Sequence, residues 1–205
     1  MEYEVYNTNA LHFPRLLKEP QNFIDFCIEQ SKITNTPWQP WLSGGDVVPH
    51  AYGELWTING SGAKETSLLD LYDLAVITSL EQFLSHIQIP NDVARDIVDE
   101  KTRTRPRALA VKRYYEGEEL GPHPDIDPSK DVEHLNLTVS MYFNDEYDGG
   151  LLGFMDGSKI DLTPGSVVIF PASYLHESSK VTNGIKYVSN EVISIERSKI
   201  GVVVQ

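Results

Sequence analysis

The chain has one cysteine, Cys27, in 205 residues. A single thiol excludes an internal disulfide framework and the cysteine-rich zinc sites. Its setting in Phe23-Ile24-Asp25-Phe26-Cys27-Ile28 reads as a buried structural thiol, not a nucleophile. Long apolar runs are missing as well, since nothing approaches the roughly 18 apolar residues that a membrane span needs. The opening Met1-Glu2-Tyr3-Glu4-Val5 has neither a basic start nor an apolar stretch, so a cytoplasmic protein without membrane contact is expected. Basic residues are scarce: 17 Lys and Arg stand against 30 Asp and Glu, a net charge of −13. That balance repels phosphate backbones, and no nucleic-acid partner is expected. Oligomeric state has no signature. Internal repeats and low-complexity tracts are also absent, which leaves periodicity as the guide to organisation.

A chain of this length is long enough for one domain with its own core, and a prior of about 150 residues per domain does not force a second. One domain over 1–205 is expected, with helical support over about 1–106 and a β-roll over about 107–196. The first part has helical spacing. Phe23, Phe26, Cys27 and Ile28 follow Pro20 in a short amphipathic helix ending near Lys32. Tyr52 to Ile58 alternates as a strand does. Apolar residues from Leu68 to Leu84 recur at helical spacing until Pro90 stops them, and Asn91 can cap a further helix to about Glu100.

From Arg107 the period changes to that of strands. Ala108–Tyr115, Leu135–Phe143, Ser166–Phe170 and Lys186–Ile193 are rich in β-branched and aromatic residues and are bounded by Gly, Pro, Asn or Asp. Helices first and strands after predict a mainly β fold, a jelly roll (double-stranded β-helix, cupin-like) with an N-terminal helical layer. Between the two lies the one basic cluster, Lys101-Thr102-Arg103-Thr104-Arg105-Pro106-Arg107. It reads either as a solvated connection or as a lip that meets an acidic or polar substrate.

Gly121-Pro122-His123-Pro124-Asp125 sets an imidazole and a carboxylate two residues apart. On an extended segment both project to the same side, which suits chelation. His176 lies just past an apolar strand, 51 residues after Asp125. Two imidazoles and one carboxylate on one face of an octahedral iron(II) leave positions open for a bidentate cosubstrate and O₂. Catalytic zinc uses the same donor types, so the ligands alone do not choose the metal. Lys186, ten residues beyond His176, shifts the balance toward iron, because a buried ammonium can neutralise the far carboxylate of a dicarboxylate cosubstrate. His12 and His86 read as surface or packing residues, His50 as a loop residue and His134 as the start of a strand.

These residues resemble the 2-oxoglutarate and iron(II)-dependent dioxygenase superfamily, within it the prolyl 4-hydroxylase-like branch, over about 108–195. The carriers are Arg113-Tyr114 through His123-Pro124-Asp125, Leu137 to Asp145 followed by Gly149-Gly150, Pro164-Gly165-Ser166, and Val181 to Tyr187. The resemblance implies Fe(II) on His123, Asp125 and His176, with 2-oxoglutarate and O₂ as cosubstrates and ascorbate as an associated reductant. It puts Tyr114, Thr138 and Tyr142 beside Lys186 in the cosubstrate pocket. It also implies hydroxylation of prolyl residues in a peptide or protein, releasing succinate and CO₂. Arg113, Arg105 and Arg107 are the expected substrate contacts, with Trp41–Tyr52 and Arg103–Arg107 as the segments that could close over a peptide. Leu120 stands where the family usually has tyrosine, and Val192 where it usually has tryptophan. These departures leave open an oxygenase acting on a free small molecule or nucleobase, or a silent metal-binding β-roll.

Overall fold

The computed structural model describes residues 2–40, 42–43, 46–47, 54–105 and 107–201. The chain begins with β1 (Glu4–Tyr6), β2 (Ala10–Phe13) and α1 (Pro20–Ile33). Then come β3 (Gln39–Pro40), β4 (Leu42–Ser43), β5 (Asp46–Val47), β6 (Glu54–Ile58), α2 (Ala63–His86) and α3 (Asn91–Thr104). The second half is strands: β7 (Leu109–Tyr114), β8 (Leu120–His123), β9 (His134–Tyr142), β10 (Tyr147–Gly149), β11 (Leu152–Phe154) and β12 (Lys159–Ile160). It closes with β13 (Val167–Pro171), β14 (His176–Ser178), β15 (Val181–Gly184), β16 (Lys186–Glu196) and a 3₁₀ turn at Arg197–Ile200.

Among the described residues all strand pairings are antiparallel. The major sheet runs β1-β2-β13-β9-β16-β7-β6-β3, and a smaller sheet, β12-β11-β14-β8, faces it together with the β10-β15 ladder. This is the jelly roll with helices on one side that the pattern predicts. The N-terminal stretch differs from its expected helical character: β1 and β2 extend the major sheet, with Leu11 opposite Ile169. A three- and a four-residue strand are too short to show a period, so only the pairing reveals them. Asn91 is the first residue of α3 and makes no side-chain cap; Pro90 occupies the capping position. The expected closing segment Trp41–Tyr52 lies outside the described residues except for the β4-β5 ladder, and His50 lies outside them too.

The central strands divide their side chains between two apolar clusters because successive residues point to opposite faces. Leu137, Val139 and Met141 of β9 are 0% exposed and join Phe23, Leu80 and Phe83 of the helices. Burial of such a side chain stabilises the fold by about 1.5–3 kcal/mol. Tyr142, Val188 and Phe170 face the other way and pack with Leu152 and Phe154 inside the roll. The helices thus brace one face of the sheet, and the opposite face lines the interior of the roll.

Candidate active site

β8 and β14 are edge-to-edge neighbours, with His123 directly opposite His176. The two imidazoles lie 4.5 Å apart between ring centres. Just beyond β8 the backbone N–H groups of Asp125 and Ile126 both donate to the carbonyl of Ala172, at 2.9 and 3.1 Å. This pins the carboxylate beneath the pair. Asp125 Oδ1 is 3.6 Å from His123 Nε2, and Oδ2 is 3.5 Å from His176 Nε2. One donor atom from each of the three residues falls within 4.8 Å of the other two. His123 Nδ1 donates to the Gly121 carbonyl at 2.8 Å and His176 Nδ1 to the Tyr174 carbonyl at 2.9 Å. That tautomer turns both Nε2 lone pairs toward Asp125. Phe170 meets the His176 ring edge-on at 4.8 Å and Phe154 flanks it, so the ring cannot swing.

The charges respond to this proximity. Burial pushes the Asp125 carboxyl up, but the His123 and His176 imidazoles beside it and the hydrogen bond from Thr138 outweigh it and hold it below its ordinary value. The adjacent Asp125 carboxylate raises His123, whereas burial lowers His176.

A cavity runs from this triad toward Lys186, lined also by Tyr114, Tyr142, Leu120, Leu152, Ser178 and Asn190. Lys186 is 2% exposed and has no carboxylate partner among the described residues. Its ammonium donates to the Gly150 carbonyl at 2.6 Å and to Ser178 Oγ at 2.7 Å. The rings of Tyr142 and Tyr114 stand 5.3 and 5.9 Å from Nζ. Burial pushes this ammonium down to about 7. A charge left so poorly compensated is costly unless an anion joins it. Gly150, at φ +60°, makes room for it: an added Cβ would lie 3.0 Å from Lys186 Cδ and from the Tyr147 ring.

Residues 109–193 match the 2OG-Fe(II) oxygenase superfamily. Among curated relatives, a PKHD-type hydroxylase of Paraburkholderia xenovorans is 29% identical over 191 residues, 87% of this chain and 75% of that one. A PKHD-type hydroxylase of Synechococcus sp. is 36% identical over 86 residues, so the match spans only 40% of this chain and 39% of the relative. The chain is thus similar to the 2OG-Fe(II) oxygenases, and the similarity is concentrated in its strand-rich second half. Its fold is that of the prolyl hydroxylases. The Trichoplax adhaerens prolyl hydroxylase, solved with a hypoxia inducible factor peptide fragment, superposes with a TM-score of 0.60 at 13% identity over 97% of this chain and 89% of that one. The viral collagen prolyl hydroxylase from Paramecium Bursaria Chlorella virus-1, solved with 2OG, gives a TM-score of 0.56 at 16% identity, covering 91% of this chain and 96% of that one.

The two groups this superfamily implies fit the residues present. Two imidazoles and one carboxylate converge as iron(II) requires, and Lys186 is a buried amine with no carboxylate partner among the described residues. Other superfamily expectations divide by strand parity. Thr138 faces the interior but is not among the residues that line the cavity; its Oγ1 donates to Asp125 Oδ2 at 2.6 Å. Arg113 neighbours Tyr114 on β7 and so points to the other face, where Glu54 accepts from its Nε at 2.7 Å and Trp38 lies under its guanidinium at 4.2 Å. Arg105 pairs with Asp73 and Glu191, and Arg107 with Asp70 and Asp73, so the structure ties both to α2 and the outer face of the sheet, away from the cavity. Leu120 lines the cavity, while Val192 is 40% exposed opposite Thr138. Ser178, Asn190 and Lys112 went unnoticed in the sequence. The alternation that places Tyr114 and Lys186 inward also places Lys112 and Asn190 inward, and was the available signal.

Proposed function

We propose that this chain is a 2-oxoglutarate- and O₂-dependent hydroxylase acting in the cytosol on prolyl residues of a peptide or protein. The observation that carries the reading is the buried, carboxylate-free Lys186 at the far end of the cavity that holds His123, Asp125 and His176. A structural zinc site has no use for such a cation. The net charge of −13 favours a peptide over a nucleic acid, and the solved proteins that share the fold include prolyl hydroxylases, one of them with a peptide bound.

His123, Asp125 and His176 would hold iron(II), and Lys186 the far carboxylate of 2-oxoglutarate. When bound, iron with 2-oxoglutarate and O₂ supplies the oxidising power: the substrate C–H becomes C–OH while 2-oxoglutarate becomes succinate and CO₂. The chain supplies orientation. Gly150 and Ser178 hold the Lys186 ammonium in place, and Tyr114 and Tyr142 add hydroxyl donors around the same carboxylate. Asp125 and Thr138 lock the donor geometry, and Leu120, Leu152 and Val188 keep water from the reacting face. Ascorbate would serve only to keep the metal reduced.

The test is turnover. Protein supplied with iron(II), ascorbate, 2-oxoglutarate and a panel of proline-containing peptides should release succinate and add one oxygen to a peptide, and His176→Ala should do neither. No succinate from the parent, together with unchanged metal binding in His176→Ala, would overturn the assignment.

A further inference from the structure

Asparagine is disfavoured in strands, yet Asn190 sits in the middle of β16, a central strand of the major sheet. Lys186, Val188 and Asn190 alternate along the inner face of that strand and all line the cavity. Asn190 is opposite Ser140 on β9, one inward pair away from Thr138, which holds Asp125. The position therefore adjoins the metal ligands and lies away from the cosubstrate's lysine. Its amide nitrogen donates to Ser140 Oγ at 2.7 Å, which fixes the orientation of the carboxamide. The carboxamide oxygen has no partner among the described residues. A half-buried acceptor without a partner costs free energy until a ligand or water pairs with it.

We infer that Asn190 is a specificity-determining residue whose carboxamide oxygen accepts a hydrogen bond from an N–H of the substrate main chain. The inference rests on the proposed hydroxylase reading and narrows it: the substrate is a peptide in which the target residue has a neighbouring peptide N–H, not a run of prolines. Proline contributes no main-chain N–H, so an uninterrupted proline run offers Asn190 nothing. Leu120 and Leu152 on the opposite wall cannot replace the contact, because neither has a polar atom in its side chain.

The experiment compares two acetyl-blocked, dimethylamide-ended peptides, an oligoproline without any N–H and an alternating proline–alanine peptide of the same length. Binding is measured anaerobically by calorimetry to full-length protein saturated with manganese(II) and 2-oxoglutarate. The parent should prefer the proline–alanine peptide by about five- to tenfold, the value of one net hydrogen bond. Asn190→Ala should bring the ratio near one by weakening that peptide alone. Asn190→Asp, which keeps an acceptor at the position, should retain the preference. A parent without preference, or an Asn190→Ala protein that keeps it, overturns the inference and leaves the hydroxylase reading standing. A parent that takes up 2-oxoglutarate but neither peptide removes the prolyl substrate and the inference together; one that takes up no 2-oxoglutarate removes the hydroxylase reading itself.

Discussion

Thr138 Oγ1 donates to Asp125 Oδ2 at 2.6 Å, from the centre of a buried strand to a carboxylate in the loop after β8. A metal-ligating carboxylate needs such a partner to hold its orientation. Losing one of these supports typically costs 10- to 100-fold in metal affinity. Thr138→Val keeps the shape and removes the hydroxyl, so manganese(II) or iron(II) should bind about 10- to 100-fold more weakly by calorimetric titration, with 2-oxoglutarate still bound at saturating metal. Unaltered metal affinity would make Thr138 a packing residue.

Lys186 gives a pH dependence whose two signs oppose. Its ammonium is held near 7, well below its unfolded value. Between the two, the unfolded chain takes up the proton more readily, so the stability of the ligand-free protein should rise with pH through that window. Cosubstrate affinity needs the ammonium, and should fall as pH rises above about 7, approaching tenfold per pH unit until the pKa of the complex is reached. Equilibrium dialysis of 2-oxoglutarate on manganese-loaded protein would show the slope. Lys186→Met should abolish it and weaken binding by about 2–5 kcal/mol.

Gly150 and Gly157 both have positive φ, +60° and +87°, but only at Gly150 would a Cβ meet other side chains. Alanine at either should cost about 1–2 kcal/mol of stability through the left-handed backbone. Gly150→Ala should in addition weaken 2-oxoglutarate by displacing Lys186, and Gly157→Ala should not. Equal cosubstrate affinities in the two variants would contradict the packing argument.

Arg105, with 8% of its side chain exposed, links Asp73 on α2 to Glu191 on β16. Removing one member of a buried ionic cluster leaves the others uncompensated, at a cost of about 3–5 kcal/mol. Arg105→Met should therefore lower stability by that order in urea unfolding while leaving peptide and cosubstrate affinities unchanged. A peptide-binding defect in a stably folded variant would return Arg105 to the substrate lip.

What the sequence revealed followed from locality. His123 and Asp125 are two residues apart on extended chain, and the strand before His176 and the one beginning at Lys186 announce themselves by composition. What escaped notice required register or distance. The bond from Thr138 to Asp125 depends on how β9 lies against the loop, and Arg105 meets Glu191 across 86 positions. Arg113 was the avoidable misplacement, since a strand that turns Tyr114 inward must turn its neighbour outward. β1 and β2 were hidden by their shortness, because two or three alternations cannot be told from chance.

The three metal donors lie on or beside the smaller sheet, whereas Lys186 starts the longest strand of the major one. Any dicarboxylate that chelates metal at one end and meets this lysine at the other therefore acts as a removable rivet between the layers. Before it arrives, the walls are already joined by the packing of Tyr142, Val188 and Phe170 on Leu152 and Phe154, by the Thr138–Asp125 bond and by the Lys186 bond to Ser178. A dicarboxylate would add to these ties a charged one that spans the whole cavity, so the gain in rigidity on filling should be concentrated at the Lys186 end of the cavity.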